Sequence, residues 1–192
     1  MKIRLTCQGT RPLLMHNVRL ASPLNPYAKK LRALNAKRVK TDEDRLEIAR
    51  TEFEGGLYWA GQAGPYLPAA NLRRSLVDGA RLIKAGKKIE RGVVVTDYLL
   101  PLVYDGPRDM ESLWSRGNSP FVDIRPVTVD RKKIDRCRPV FRQWLIEAEV
   151  IADPQVIELE EFREVARLAG EMEGIGDARQ VYGRYSAHAE PL

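Results

Sequence analysis

Six cationic side chains fall within the twelve residues from Arg131 to Arg142: Arg131, Lys132, Lys133, Arg136, Arg138 and Arg142. Guanidinium forks match phosphate oxygens in bidentate pairs, and aromatic faces stack on unpaired bases. With Phe141 and Trp144 beside the run, the stretch has the residue types of a single-strand nucleic-acid contact. A solvated hairpin with both aromatics in the core satisfies the same pattern, and for Trp144 the core is the favoured place. Arg73 and Arg74 open a second basic block that continues through Arg81, Lys84, Lys87, Lys88 and Arg91. A third candidate is the loop around GIGDAR. There Gly174 and Gly176 allow positive φ and close backbone approach, while Arg179 and Arg184 can neutralise phosphates beside it. The plain alternative is that Gly174, Gly176 and Gly183 only turn the chain from a helix into a strand.

Catalytic groups are sparse. An imidazole can activate a ribose hydroxyl as a general base, which makes His16 a candidate, but no matching acid lies beside it in sequence. His188 sits in an alternating strand pattern and is the weaker candidate. GIGDAR follows a helix and precedes a strand, the reverse of the setting of dinucleotide and Walker loops. Cys7 and Cys137, with only two histidines far apart, form neither a disulfide framework nor a zinc site. Carboxylates are not clustered for two-metal work, and there is no nucleophile elbow. No metal and no cofactor are expected.

Charge distribution favours a polyanionic partner. The 192 residues are 44% hydrophobic and 30% charged, the balance of a globular chain long enough for one sizeable domain. The formal net charge is +6, but the first forty residues carry ten Lys and Arg and no Asp or Glu. From Glu147 to Glu173 nine carboxylates stand against Arg163 and Arg167. A basic face concentrates a polyanion by counterion release, and an acidic face repels it or docks a neighbour's basic face. No apolar run approaches the roughly 20 residues of a membrane helix, and MKIRLTCQGT has no signal core. A cytoplasmic protein without a membrane partner is expected.

The elements that position these residues follow from periodicity. Ile3, Leu5 and Cys7 alternate with Lys2, Arg4 and Thr6 in a first strand ending at Gly9. A helical insertion over about 27–56 follows, its second helix opened by a Thr41/Asp44 capping box and closed by Gly55 and Gly56. GQAGPYLP reads as a turn whose Pro68 starts the next helix, with Leu72, Leu76, Ala80 and Ile83 inward and Arg73, Arg74, Arg81 and Lys84 outward. Val93 to Tyr104 reads as strand, and Asp109 caps a short helix. FVDIRPVTVD and CRPVFRQWLIEAEVI alternate as two antiparallel strands, joined by RKKIDR as a basic tip. Leu159, Phe162, Val165 and Leu168 give the last helix, and RYSAHAE the last strand. The order fits an α+β fold with a ferredoxin-like (βαββαβ) antiparallel sheet, in a single domain over residues 1–192 that also carries the helical insertion and the basic β-hairpin.

The strand KIRLTCQGTRPLL, the helix entrance GPYLPAANLRRSLVDGA and the final helix followed by GIGDARQVYGRY resemble the RAMP superfamily of CRISPR-associated proteins. The resemblance covers the core and not residues 27–56. Over nearly the whole chain, including PLLMHN, NPYAKKL, FEGGLYW, YDGPR and CRPVFRQW, the sequence is also similar to a group of small uncharacterised proteins of tailed phages and prophages. Members of the superfamily coat guide RNA or cleave it. The resemblance therefore implies a ferredoxin-like core, RNA as a partner, and the cytoplasm of a phage-infected or lysogenic bacterium.

Taken together, the residues lead to non-catalytic binding of single-stranded RNA or DNA through the hairpin and the glycine-rich loop, with side-by-side assembly into a homo-oligomer or protein complex. A metal-independent endoribonuclease using His16 is one alternative. A phage-encoded adaptor or inhibitor that binds a host protein is the other.

Overall fold

The computed structural model describes residues 1–129 and 131–192, the side chains of Val129 and Lys132 excepted. Its strands are β1 (Lys2–Gly9), β2 (Leu13–Leu14), β3 (Trp59–Ala60), β4 (Gly64–Pro68), β5 (Val93–Val95), β6 (Leu99–Pro101), β7 (Val122–Val129), β8 (Lys132–Phe141), β9 (Leu145–Ala152) and β10 (Tyr185–Pro191). Its α-helices are α1 (Pro26–Ala36), α2 (Asp42–Gly56), α3 (Ala69–Leu82), α4 (Gly86–Gly92), α5 (Met110–Trp114) and α6 (Leu159–Leu168). The fold is α+β with antiparallel sheets, in two compact units: Met1–Leu13 with Trp59–Asp105 and Arg142–Leu192, and Leu14–Tyr58 with Gly106–Phe141. No helix among the described residues is long and apolar enough to cross a membrane.

The first unit is built on a four-stranded sheet in the order β10-β1-β9-β5, every neighbouring pair antiparallel. Alternation decides its faces: Ile3, Leu5 and Cys7 of β1 and Ile146, Ala148 and Val150 of β9 are buried, while Lys2, Arg4 and Gln8 are exposed. Helix α3 lies in the chain between β1 and β5, and α6 between β9 and β10; the two helices pack on each other. Leu72, Leu76, Phe162 and Val165 join Ile3 and Leu5 in the core, whereas Leu168 is half-buried and Ile83 lies exposed just past the end of α3. A Cβ at Gly79 of α3 would sit 2.6 Å from the Ala169 nitrogen, so glycine is what lets the helices meet this closely. Beside that contact the Ser75 hydroxyl is 2.9 Å from the Tyr185 hydroxyl and donates to the Ala169 carbonyl at 3.3 Å, which satisfies both buried polar groups.

Three local expectations for this unit are corrected. Gly64–Pro68 is a strand, not a turn, because Tyr66 to Pro68 pair with Leu99 to Pro101 of β6. Pro68 is therefore the residue before α3, not its first. Val93 to Tyr104 divides into β5 and β6, which join different sheets.

In the second unit α2 packs on β8 of the β7–β8 hairpin, and α1 and α5 pack on α2. The Thr41 hydroxyl accepts from the Asp44 amide at 3.2 Å and the Asp44 carboxylate accepts from the Thr41 amide at 3.1 Å, so the capping box forms at the expected place. At the other end of α2 the Arg19 guanidinium donates to the carbonyls of Glu54, Gly55 and Leu57 at 2.6, 2.8 and 3.1 Å, occupying acceptors that a helix end leaves open. Phe53 and Trp114 pack with ring centroids 5.4 Å apart. Strands β7 and β8 form the expected antiparallel hairpin, but the segment from Cys137 to Ile151 is not one strand. It breaks after Phe141, and β9 belongs to the four-stranded sheet. The basic tip is also shorter than RKKIDR, since Val129 already pairs with Lys132. Asp130 and the side chain of Lys132 lie outside the described residues.

Candidate nucleic-acid interface

The densest cationic site in the first unit grows from helical spacing. Arg74 precedes Asp78 by four residues and Arg81 follows it by three, so all three share one face of α3. One Asp78 oxygen, Oδ2, accepts from Arg74 Nε at 2.7 Å and from Arg179 Nη1 at 3.3 Å, and the other, Oδ1, accepts from Arg81 Nη1 at 2.8 Å. Arg73 extends the cluster by donating to the Glu90 carbonyl at 3.1 Å, and Arg81 also reaches the Glu90 carboxylate at 3.1 Å. Burial works to raise the pKa of Asp78. Hydrogen bonds from Arg74 and Arg179 outweigh it and hold the carboxyl below its usual range. The guanidiniums stay open to a ligand: the side chains of Arg74, Arg81 and Arg179 are 62%, 51% and 33% exposed. Ala70, Arg73, Arg74, Val77, Arg81 and Glu90 line a cavity of about 440 Å³, which Asp78 and Arg179 do not themselves line.

Arg179 reaches this cluster because the glycine-rich loop folds onto its own unit. Gly174, Gly176 and Gly183 have φ of +71°, +85° and +65°. The Ile175 amide donates to the Gly183 carbonyl at 2.9 Å, and the Gly183 amide to the Pro12 carbonyl at 2.8 Å. A Cβ on Gly183 would lie 1.8 Å from the Ile175 carbonyl oxygen, and Gly174 is buried against Tyr182 and Gly183. These glycines therefore serve a compact turn that presents Arg179, and Gly174 does not offer bare backbone. Arg184 donates instead to the Gln180 carbonyl at 3.4 Å.

The hairpin is less available than its sequence suggests. Arg136 forms an ion pair with the buried Glu52 of α2, whose other oxygen accepts from the Cys137 amide at 2.8 Å. Arg138 is half-buried, while Arg131, at φ +66°, and Lys133 are exposed. Arg142 is exposed but lies past the hairpin, in the first unit. Phe141 and Trp144 are both buried, Phe141 against Phe121 at 5.7 Å and Trp144 with its indole N–H donated to the Arg11 carbonyl at 2.9 Å. Neither ring can stack on a base.

The solvent face of the four-stranded sheet is nearly charge-balanced. Lys2 pairs with Glu149 at 3.1 Å and Arg4 with Glu190 at 3.3 Å, and His188 lies 3.8 Å from Glu190. His16 is exposed in the second unit, after β2. Burial raises the pKa of both cysteine thiols, Cys137 to about 12 with Glu52 and Asp123 adding to the shift, so neither is a ready nucleophile. Among the described residues no three His, Cys, Asp or Glu side chains converge as metal ligands.

Thus Arg73, Arg74 and Arg179 come together, and Arg81 and Asp78 complete the group. Asp78 is not among the residues expected from the sequence; the signal that could have found it is the spacing Arg74, Asp78, Arg81 on one helix face. No protein-family model matches this chain, and no curated protein is similar enough to it to mark a relative.

Proposed function

We propose that this protein binds single-stranded nucleic acid, RNA or DNA, without cleaving it, and that it grips the sugar–phosphate backbone rather than the bases. The convergence of Arg73, Arg74, Arg81 and Arg179 on one side of the first unit is the observation that carries this reading. Exposed guanidiniums held in fixed directions are suited to phosphate oxygens. The burial of Phe141 and Trp144 and the paired charges on the open sheet face favour backbone contact over stacking. Arg131, Lys133 and Arg142 serve as secondary contacts.

The core on which this site stands is, in this reading, ferredoxin-like and akin to that of the RAMP superfamily. It is supported by the order β10-β1-β9-β5 with α3 and α6 as its two connecting helices, the arrangement of a βαββαβ unit. The test is fluorescence anisotropy with labelled single strands of mixed sequence across a salt series. Binding that weakens with salt, with a log–log slope reduced by about 1 in Arg74→Ala or Arg179→Ala, supports the reading. Absence of binding to RNA and DNA at low salt overturns it and favours a protein partner.

A further inference from the structure

We infer that the arginine cluster on α3 is a site for the phosphorylated end of a strand, that is, for a terminal phosphomonoester with its nucleotide. This inference rests on the nucleic-acid reading above and narrows it. An internal phosphate of a strand offers such a cluster one negative charge, and a terminal phosphate nearly two. Three guanidiniums converge here, and Arg73 lines the adjoining cavity. Arg74, Arg81 and Arg179 meet at one carboxylate, and Arg73 and Arg81 both reach Glu90.

Charge agrees with the geometry. Four guanidiniums against Asp78 and Glu90 leave two positive charges, with Glu173 acting on Arg74 only as a weaker background field. A phosphomonoester carries close to two negative charges at neutral pH, an internal phosphodiester one. The adjoining cavity of about 440 Å³ lies within the range of small-ligand sites, and Ala70 and Val77 give it apolar wall against which a sugar or base can rest. Asp78 is the positioning residue: ionised and 10% exposed, it fixes three forks in place before a ligand arrives, which lowers the entropy cost of gathering them.

The experiment compares one labelled single-stranded sequence in three forms, with a 5′-phosphate, with a 3′-phosphate, and with hydroxyls at both ends. A gain of about tenfold for a phosphorylated form, the size of one added charge-assisted contact, is expected. Equal gains from both ends assign the site to the phosphomonoester itself, and a gain at one end gives the strand polarity. The gain should vanish in Arg74→Ala and Arg179→Ala, shrink in Arg74→Lys, which keeps the charge but loses the fork, and persist in Lys29→Ala on α1. Thermal melts of each variant separate lost binding from lost folding. Equal binding of all three forms overturns this inference and leaves the backbone-binding function standing. Failure of every form to bind overturns both.

Discussion

Asp78 gathers three guanidiniums because helical spacing brings Arg74 and Arg81 to its two sides and the chain returns Arg179 from 101 residues away. Its pKa is held below the ordinary 3.8, so its ionised form stabilises the fold at pH above that value. That contribution is lost as pH falls from about 3.8 through the lower folded-state value. Asp78→Asn should therefore be less stable than the wild type at neutral pH, and the gap should narrow below about pH 3.8, as read from urea midpoints at several pH values. A gap that stays constant with pH would assign the loss to packing alone. Gly183 shows a different constraint at the same scale. Its φ of +65° and the 1.8 Å approach of an added Cβ to the Ile175 oxygen leave no room for a side chain. Gly183→Ala should cost about 2–4 kcal/mol in chemical denaturation, from left-handed strain and overpacking together.

Helix α2 illustrates how an element takes its stability from outside itself. Its N-terminus is closed locally by Thr41 and Asp44, but its C-terminal carbonyls depend on Arg19, and its buried Glu52 depends on Arg136 and the Cys137 amide. Arg19→Ala should destabilise by about 2–3 kcal/mol and speed amide exchange in the last turn of α2 ahead of its first, since charged hydrogen bonds to carbonyls are lost while the capping box remains. A peptide spanning residues 26–57 should be largely unstructured by circular dichroism, because the partners of Phe53 and Glu52 lie in α5 and β8. Strong helicity of that peptide would make the insertion autonomous.

At the scale of the whole molecule, binding should be dominated by the α3 cluster. Arg131→Ala with Lys133→Ala should weaken strand binding less than Arg74→Ala with Arg179→Ala at matched salt, because Arg136 of the hairpin is already neutralised by Glu52. Single-turnover assays in chelator should show no RNA cleavage by the wild type or by His16→Ala; cleavage that disappears in the variant would replace binding with catalysis. What the sequence determined by itself is what short-range periodicity encodes. The alternation of Ile3, Leu5 and Cys7, the Thr41 and Asp44 cap, the apolar stripe of α3 and the Phe162 and Val165 face each follow from neighbours within a turn or a pleat. The spacing of Arg74, Asp78 and Arg81 is in the sequence too, but spacing alone shows a basic helix face and does not single out Asp78 as the shared partner. Only the tertiary structure decided which cations remain available. Whether Arg136 faces a ligand or Glu52, and whether Arg179 stands alone or joins Arg74, depends on segments 84 and 101 residues apart. The division of the stretch from Cys137 to Ile151 between two sheets is of the same kind. Local alternation says that a residue is in a strand but not which strand it pairs with, and electrostatic partnership is fixed only when distant segments are brought together.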